Sequence, residues 1–269
     1  MGSNKHLQDL CRACSHTQNL WQGSEIKGIE QFEWEFEKDT AFSRSIVKKL
    51  RLGQLAEQFI FNQIESSDEL DLVAENIQIK DDTRTLGELD AIIKHFDHFV
   101  HLEIVYKFYV YDHSQGPGEI DFWIGPNRKD SLVEKLKKLQ EKQFQILYNT
   151  ISKAYLQSLR IDINSIVQRV LFKAQLFVPY KSNIVFDKLN PNCVKGFYIH
   201  IDQLDTFKDH VFYIPSKHEW FLEANDTVSW QNYFDFKLNV QTHLSEKQSP
   251  MFWIKSNAEN LQKGFLVWW

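Results

Sequence analysis

The stretch GELDAIIKHFDHFVHLEIVYKFY, Gly87 to Tyr109, decides how this fold is read. Side chains alternate across a β-strand, so a period of two assigns each residue a face. In the second half, Leu102, Ile104, Tyr106 and Phe108 fall on one side, and His101, Glu103, Val105, Lys107 and Tyr109 on the other. In the first half, Leu89, Ala91 and Ile93 oppose Glu88, Asp90 and Ile92. The intervening HFDH is a short polar turn, which predicts an antiparallel hairpin. With Phe96 and Asp97 at the tip, Lys94 pairs with Phe99, Ile92 with His101, and Asp90 with Glu103. Directly opposed residues have Cβ atoms roughly 4.5–5.5 Å apart, where like charges destabilise. A two-residue slip would separate the acids. In the register as read, the pair needs a Lys or Arg, a shared proton or a bound metal.

Working outward, LDLVAENIQIKDDTRTLGELDAII reads as two strands around the turn DDTRTLG, giving a three-stranded meander. Before it, LRLGQLAEQFIFNQIESS aligns Leu52, Leu55, Ala56, Phe59, Ile60 and Ile64 in one helical stripe. After it, SQGPGEIDFWIGPNRKD has loop composition, with Gly125 and Pro126 setting chain direction. Asp130 is placed to cap an amphipathic helix, SLVEKLKKLQEKQFQILYN, with Leu132, Leu136, Leu139, Phe144 and Leu147 on its apolar side. RVLFKAQLFVPY alternates as a returning strand, so the element order is αβββαβ.

The flanks are less regular. A first helix spans about His6 to Leu20, and EQFEWEFEKD, with alternating Phe32, Trp34 and Phe36, reads as a strand or a capping loop. CVKGFYIHI and HVFYIPS read as strands and NYFDFKLNVQTHLSEKQ as a helix. The terminal GFLVWW is expected to be an edge strand or a packing plug, with an interface as the rival. The fold class is α/β, an α+β mixed sheet: an N-terminal helical and aromatic segment (1–50), a core (51–180) and a C-terminal strand and helix extension (181–269).

Composition narrows the function classes. The 269 residues suffice for one large or two modest domains, and 43% apolar content supplies a core. Aromatic content of 14% points to packing, because Phe, Tyr and Trp bury large areas. A net charge of −5 argues against nonspecific coating of nucleic acid while leaving room for a local basic groove. The start MGSNKHLQDL lacks the charged-then-apolar pattern of a signal peptide, and no apolar run approaches a membrane span of about 18 residues, so a cytoplasmic protein without membrane contact is expected. Cys11 and Cys14 form a C-x-x-C, but no second ligand pair lies nearby and the spacing is helical; a thiol pair is expected rather than a zinc or redox site.

GELD with Asp90 and HLEIVYK with Glu103, within the αβββαβ order, resemble the PD-(D/E)XK, or restriction-endonuclease-like, nuclease superfamily. The run RLGQLAE (Arg51 to Glu57), GELD, HLEIVYKFY and WIGPNRKDSL resembles more closely a bacterial group, the domain-of-unknown-function 1853 family. The likeness extends to the N-terminal helix and, more weakly, to KGFY and KHEWFL.

The resemblance implies Asp90 and Glu103 as oxygen ligands for Mg²⁺ or Mn²⁺, hard cations that prefer carboxylate and water. An acid from the preceding helix completes such shells, which makes Glu57 the third candidate; Glu88 could replace either strand acid. The usual lysine lies two residues after the Glu, where this chain has Val105. Lys107, about 6.6–7 Å further along the strand, is the candidate displaced lysine. Lys135 and Lys138, with Arg128 and Lys129 just ahead of the helix, read as a phosphate-tracking ridge or as a solvated helix face. Gln143 matches a polar residue that such nucleases place near the metal. His95, His98 and His101 flank the hairpin, with exposed or hydrogen-bonding roles expected. The implied function is a divergent metal-dependent nuclease acting on DNA or RNA. Its rivals are an inactive nuclease-fold module that binds nucleic acid or protein, and an acid–base enzyme without metal.

Overall fold

The computed structural model describes residues 2–35, 37, 40–256 and 260–269, and the side chains from residue 5 onward. The described chain is a mixed α/β protein whose residues divide into two compact units. The first comprises residues 1–106, 134–174 and 188–190; the second comprises 107–133, 175–187 and 191–269.

The first unit opens with α1 (Gly2–His16) and α2 (Leu52–Glu65). α1 stops short of the expected Leu20. The ammonium of buried Lys173 takes the carbonyls of Ser15 (3.3 Å) and Thr17, which the helix end would otherwise leave unpaired. Cys11 and Cys14 are buried free thiols on α1. α2 begins where the Gln54 side chain accepts the Arg51 backbone N–H at 3.2 Å, and it buries Leu55, Ala56, Phe59, Ile60 and Ile64, the stripe read from the sequence. Fully buried Asn62 accepts from Ser43 N and donates to Ala41 O, fastening the preceding segment to this helix. In EQFEWEFEKD, Gln31 bridges Val170 while Phe32 to Glu35 form no strand; Phe36, Lys38 and Asp39 lie outside the described residues.

The meander follows as β1 (Leu70–Lys80), β2 (Thr85–His95) and β3 (His98–Tyr111). β2 and β3 pair antiparallel in the expected register, from His95↔His98 through Lys94↔Phe99 and Ile92↔His101. Phe96, at the two-residue tip, takes φ 51°, the left-handed conformation a tight hairpin requires. The basic helix is α3 (Leu132–Lys138), a π-helical turn (Leu139–Gln143) and α4 (Phe144–Ile146). A Cβ at Gly87 would lie 3.0 Å from Ile146, so this helical run sits directly on β2. α5 (Thr150–Ser158), which the mixed pattern after Ile151 does not announce, is capped by Asn149 and delivers Leu156 to a core with Ile79, Leu89, Ile92, Leu147 and Ile166. β5 (Ile166–Pro179) lies next to β3.

The second unit takes the ends of β3 and β5, with β4 (Trp123–Ile124) pairing the former. β6 (Val194–His200) runs parallel to β5 and to β9 (Leu261–Val267); β9 pairs antiparallel with β8 (Met251–Lys255), and β8 with β7 (Val211–Tyr213). GFLVWW is therefore neither an edge strand nor a plug: Phe265, Leu266 and Val267 are buried and β9 is paired on both sides. Its Gly264 admits the Phe252 ring, which a Cβ would meet at 2.5 Å. α6 (Tyr233–Ser245) packs Phe236 face to face on Phe212 at 4.2 Å. WIGPN is structural in this unit. The Asn127 side chain accepts from Ser249 N, Ser249 Oγ donates to Pro126 O, and a Cβ on Gly125 would fall 2.0 Å from Asp130 Oδ1.

Candidate functional site

The site grows from a gap in two ladders. β2 pairs with β3 only as far as Ala91↔Leu102, and with β1 on either side of Asp90, through Glu75↔Ala91 and Ile77↔Leu89. Asp90 itself is paired by neither. Continuing the β3 register would put Leu89 opposite Ile104, yet the Ile104 N–H donates to Asp90 Oδ2 at 2.9 Å. On β1, Asn76 occupies the position across from Asp90 with φ 51°, a left-handed conformation that Asn tolerates better than most residues. A side chain has thus replaced a backbone partner, and the sheet opens where the two acids meet.

Glu103 is fully buried and held from both sides. Oε1 lies 3.1 Å from Nε2 of His101, also fully buried. Oε2 accepts from the Gln143 side-chain amide, whose own oxygen accepts from Lys135 Nζ at 2.7 Å. The π-helical turn makes this last contact possible. It absorbs one extra residue, so Lys135 and Gln143, eight apart, take the relation of residues seven apart on a plain α-helix, about 20° from in line. Asp90 and Glu103 are close enough for each to act on the charge of the other, so the two carboxyl groups are neighbours.

Burial, then the negative charge of Glu103, raises the Asp90 pKa; burial likewise raises that of Glu103, with Lys135 the main opposing influence. Glu57 on α2 is pushed up to about 8, by burial first and then by the charges of Asp90, Glu88 and Glu103. Burial lowers His101 to about 4, so its imidazole is neutral at neutral pH. Four acids therefore act on one another, and Lys135 is a cation that Glu57, Asp90 and Glu103 all feel.

The structure brings together Glu57, Glu88, Asp90, Glu103, Lys135 and Gln143, with Lys138 close enough to act on Glu103. Lys107, Arg128 and Lys129 belong to the second unit. There Lys107 is paired with Asp130, whose carboxylate is thus drawn to a lysine, and Arg128 is paired with Asp112 at 2.6 Å and lies 3.9 Å over the Trp269 ring. Lys129 is exposed. His101 takes the hydrogen-bonding role expected of it, on Glu103, and Gln168 is the participant that the sequence did not point to. His101 shares Glu103's face at i−2, so strand alternation carried the signal; Gln168, on β5, had none.

A divalent cation fits the donors in kind, since carboxylate oxygens suit Mg²⁺ or Mn²⁺. Among the described residues, no three His, Cys, Asp or Glu side chains form a group that could hold a metal ion. Asp90 and Glu103 alone would leave most of the coordination sphere to water and substrate oxygens, which is the usual state of Mg²⁺. Among the described residues no helix is long and apolar enough to cross a membrane.

No curated protein and no solved structure matches the chain. The family described as Domain of unknown function (DUF1853) matches residues 7–267, nearly the whole length, and the chain belongs to that family.

Proposed function

We propose that the protein is a divergent metal-dependent nuclease, hydrolysing phosphodiester bonds of DNA or RNA at the Asp90–Glu103 pair. The observation that carries the reading is the end of the β2–β3 ladder just before Asp90 and Glu103, which leaves two neighbouring carboxyl groups beside a third acid, Glu57, and a lysine. The order α2-β1-β2-β3, followed by the short β4, the helical run α3 to α5 and then β5 beside β3, supports a restriction-endonuclease-like αβββαβ core. Asp90 and Glu103 would hold Mg²⁺ or Mn²⁺, with water and substrate oxygens completing the sphere, and the cation would offset the charge of the acids, Glu57 nearby included, activate water and offset charge on the phosphate. In this reading Lys135, acting through Gln143, takes the orienting part that the motif gives to a lysine on the strand; Lys107, held by Asp130, does not take it. Exposed Lys138 stands on the same helical run, where a phosphate backbone would pass.

The second reading is a binding module that kept the sheet and lost the reaction. Val105 at the usual lysine position, and a Glu103 already engaged on both oxygens, favour it. Calorimetry with Mn²⁺ on wild type and Asp90→Asn separates the two. Saturable binding lost in the variant, together with cation-dependent cleavage of single-strand, duplex or branched substrates, supports the nuclease. No Mn²⁺ binding, with nucleic-acid or protein binding untouched by Asp90→Asn, supports the module.

A further inference from the structure

Two hydrogen-bond chains converge on Glu103, and the orientation of each is fixed at its far end. Gln168 Nε2 lies 3.0 Å from Nδ1 of His101 and also donates to the Phe144 carbonyl at 2.8 Å. Rotating that amide by half a turn would set its oxygen against the Phe144 oxygen, two acceptors facing each other. The NH₂ therefore faces both groups, and Nδ1 must accept. A neutral imidazole with an accepting Nδ1 carries its proton on Nε2, which points at Glu103 Oε1. On the other side, rotating Gln143 would press its NH₂ on the Lys135 ammonium and its oxygen on Glu103, so its NH₂ must donate to Oε2.

We propose that Gln168, through the Nε2–H tautomer of His101, and Lys135, through Gln143, clamp Glu103 from both sides, making it a fixed member of the acid pair. His101, Gln168 and Gln143 are then positioning residues, acting through Glu103. What the pair receives rests on the nuclease reading; the clamp does not. Phe144 contributes twice, through its carbonyl to Gln168 and through its ring, edge-on to His101 at 6.1 Å.

The test is long-range ¹H–¹⁵N spectroscopy of imidazole nitrogens in the full chain, free of divalent cations, with His101 assigned from the signals missing in His101→Asn. The clamp requires a protonated Nε2 and a bare Nδ1 in wild type. A protonated Nδ1, or two averaged nitrogens, would overturn it without any variant. Gln168→Leu removes the amide that faces Nδ1 and frees the ring, so the side-chain NH₂ resonances of Gln143 should move because both groups bond Glu103. Unmoved Gln143 signals in that variant would also overturn the clamp. Adding Mg²⁺ to the same wild-type sample tests the nuclease reading separately: no response to the cation, with Nε2–H intact, removes the metal site and leaves the clamp standing.

Discussion

Asp90 on β2 takes the backbone N–H of Ile104 on β3 with its own carboxylate, at 2.9 Å, in place of the ladder. This bond survives replacement by Asn, whose amide oxygen can accept equally, while the negative charge does not. Asp90→Asn therefore isolates charge from structure, and the first prediction uses it.

The folded-state pKa values of Glu57, Asp90 and Glu103 all lie above those of an unfolded chain. The native state then holds protons that the unfolded state has released, so stability present below about pH 4 is lost as pH rises through the folded values, up to about 8 for Glu57. Urea midpoints of the cation-free protein should fall between pH 5 and pH 8. Asp90→Asn should flatten that fall and gain about 1–2 kcal/mol at pH 8. A variant no more stable than wild type at pH 8 would mean that the acids do not repel.

Lys135→Met keeps most of the apolar stem and removes the cation that all three acids feel. A loss of about 1 kcal/mol is expected at pH 7.5, shrinking towards zero near pH 4.5, where the acids are protonated in the folded state and no longer attract the cation. Paired urea titrations at the two pH values check it. An equal loss at both would assign Lys135 to packing alone.

Lys263 in the second unit is buried with its ammonium on Gln175 Oε1 (2.6 Å) and the Trp220 carbonyl (2.9 Å). Burial lowers its pKa to about 7. For a lysine depressed in the fold, the unfolded state binds the extra proton between about pH 7 and 10.4, so its contribution to stability rises with pH in that window and is lost as pH falls through 7. Lys263→Met should remove up to about 1.4 kcal/mol per pH unit from the gradient between pH 8 and 10. Chemical denaturation of the two proteins across that range reads the difference directly.

Two glycines should respond in opposite directions to alanine. At Gly196 a Cβ would sit 2.1 Å from the Lys263 backbone oxygen on β9, so Gly196→Ala should destabilise by at least about 2 kcal/mol. At Gly53 on α2 nothing lies within 4 Å, and Gly53→Ala should stabilise by about 0.5–1 kcal/mol. Thermal melts suffice, and a neutral Gly196→Ala would show that the β6 and β9 strands separate more readily than their pairing implies.

Local pattern carried the meander and its hairpin. Period-two alternation and the HFDH tip carry the β2–β3 register from His95↔His98 to Ala91↔Leu102, and the stripe of α2 is legible as far as its last buried residue, Ile64. The partners of those acids were not. Lys107 lies on the expected face, but its ion pair with Asp130 is made by a loop that Gly125 folds back, which no strand period describes. Gln168 reaches His101 from 67 positions away, and only the pairing of strands distant in sequence brings them together. β9 reads as a hydrophobic tail because nothing local says that β6 and β8 will flank it.

The π-helical turn at Leu139–Gln143 has a consequence for how this helix tolerates change. Deleting one residue between Leu139 and Lys142 would let the segment relax to regular α-helix, the more comfortable backbone, while everything from Phe144 onward kept its place. Lys135 and the amide of Gln143 would then stand seven apart on a plain α-helix, the relation they already have. Gene variants one codon shorter here would fold at least as well and keep the lysine in touch with Glu103, whereas a residue removed between Lys135 and Lys138, with the turn left intact, would turn the two out of line.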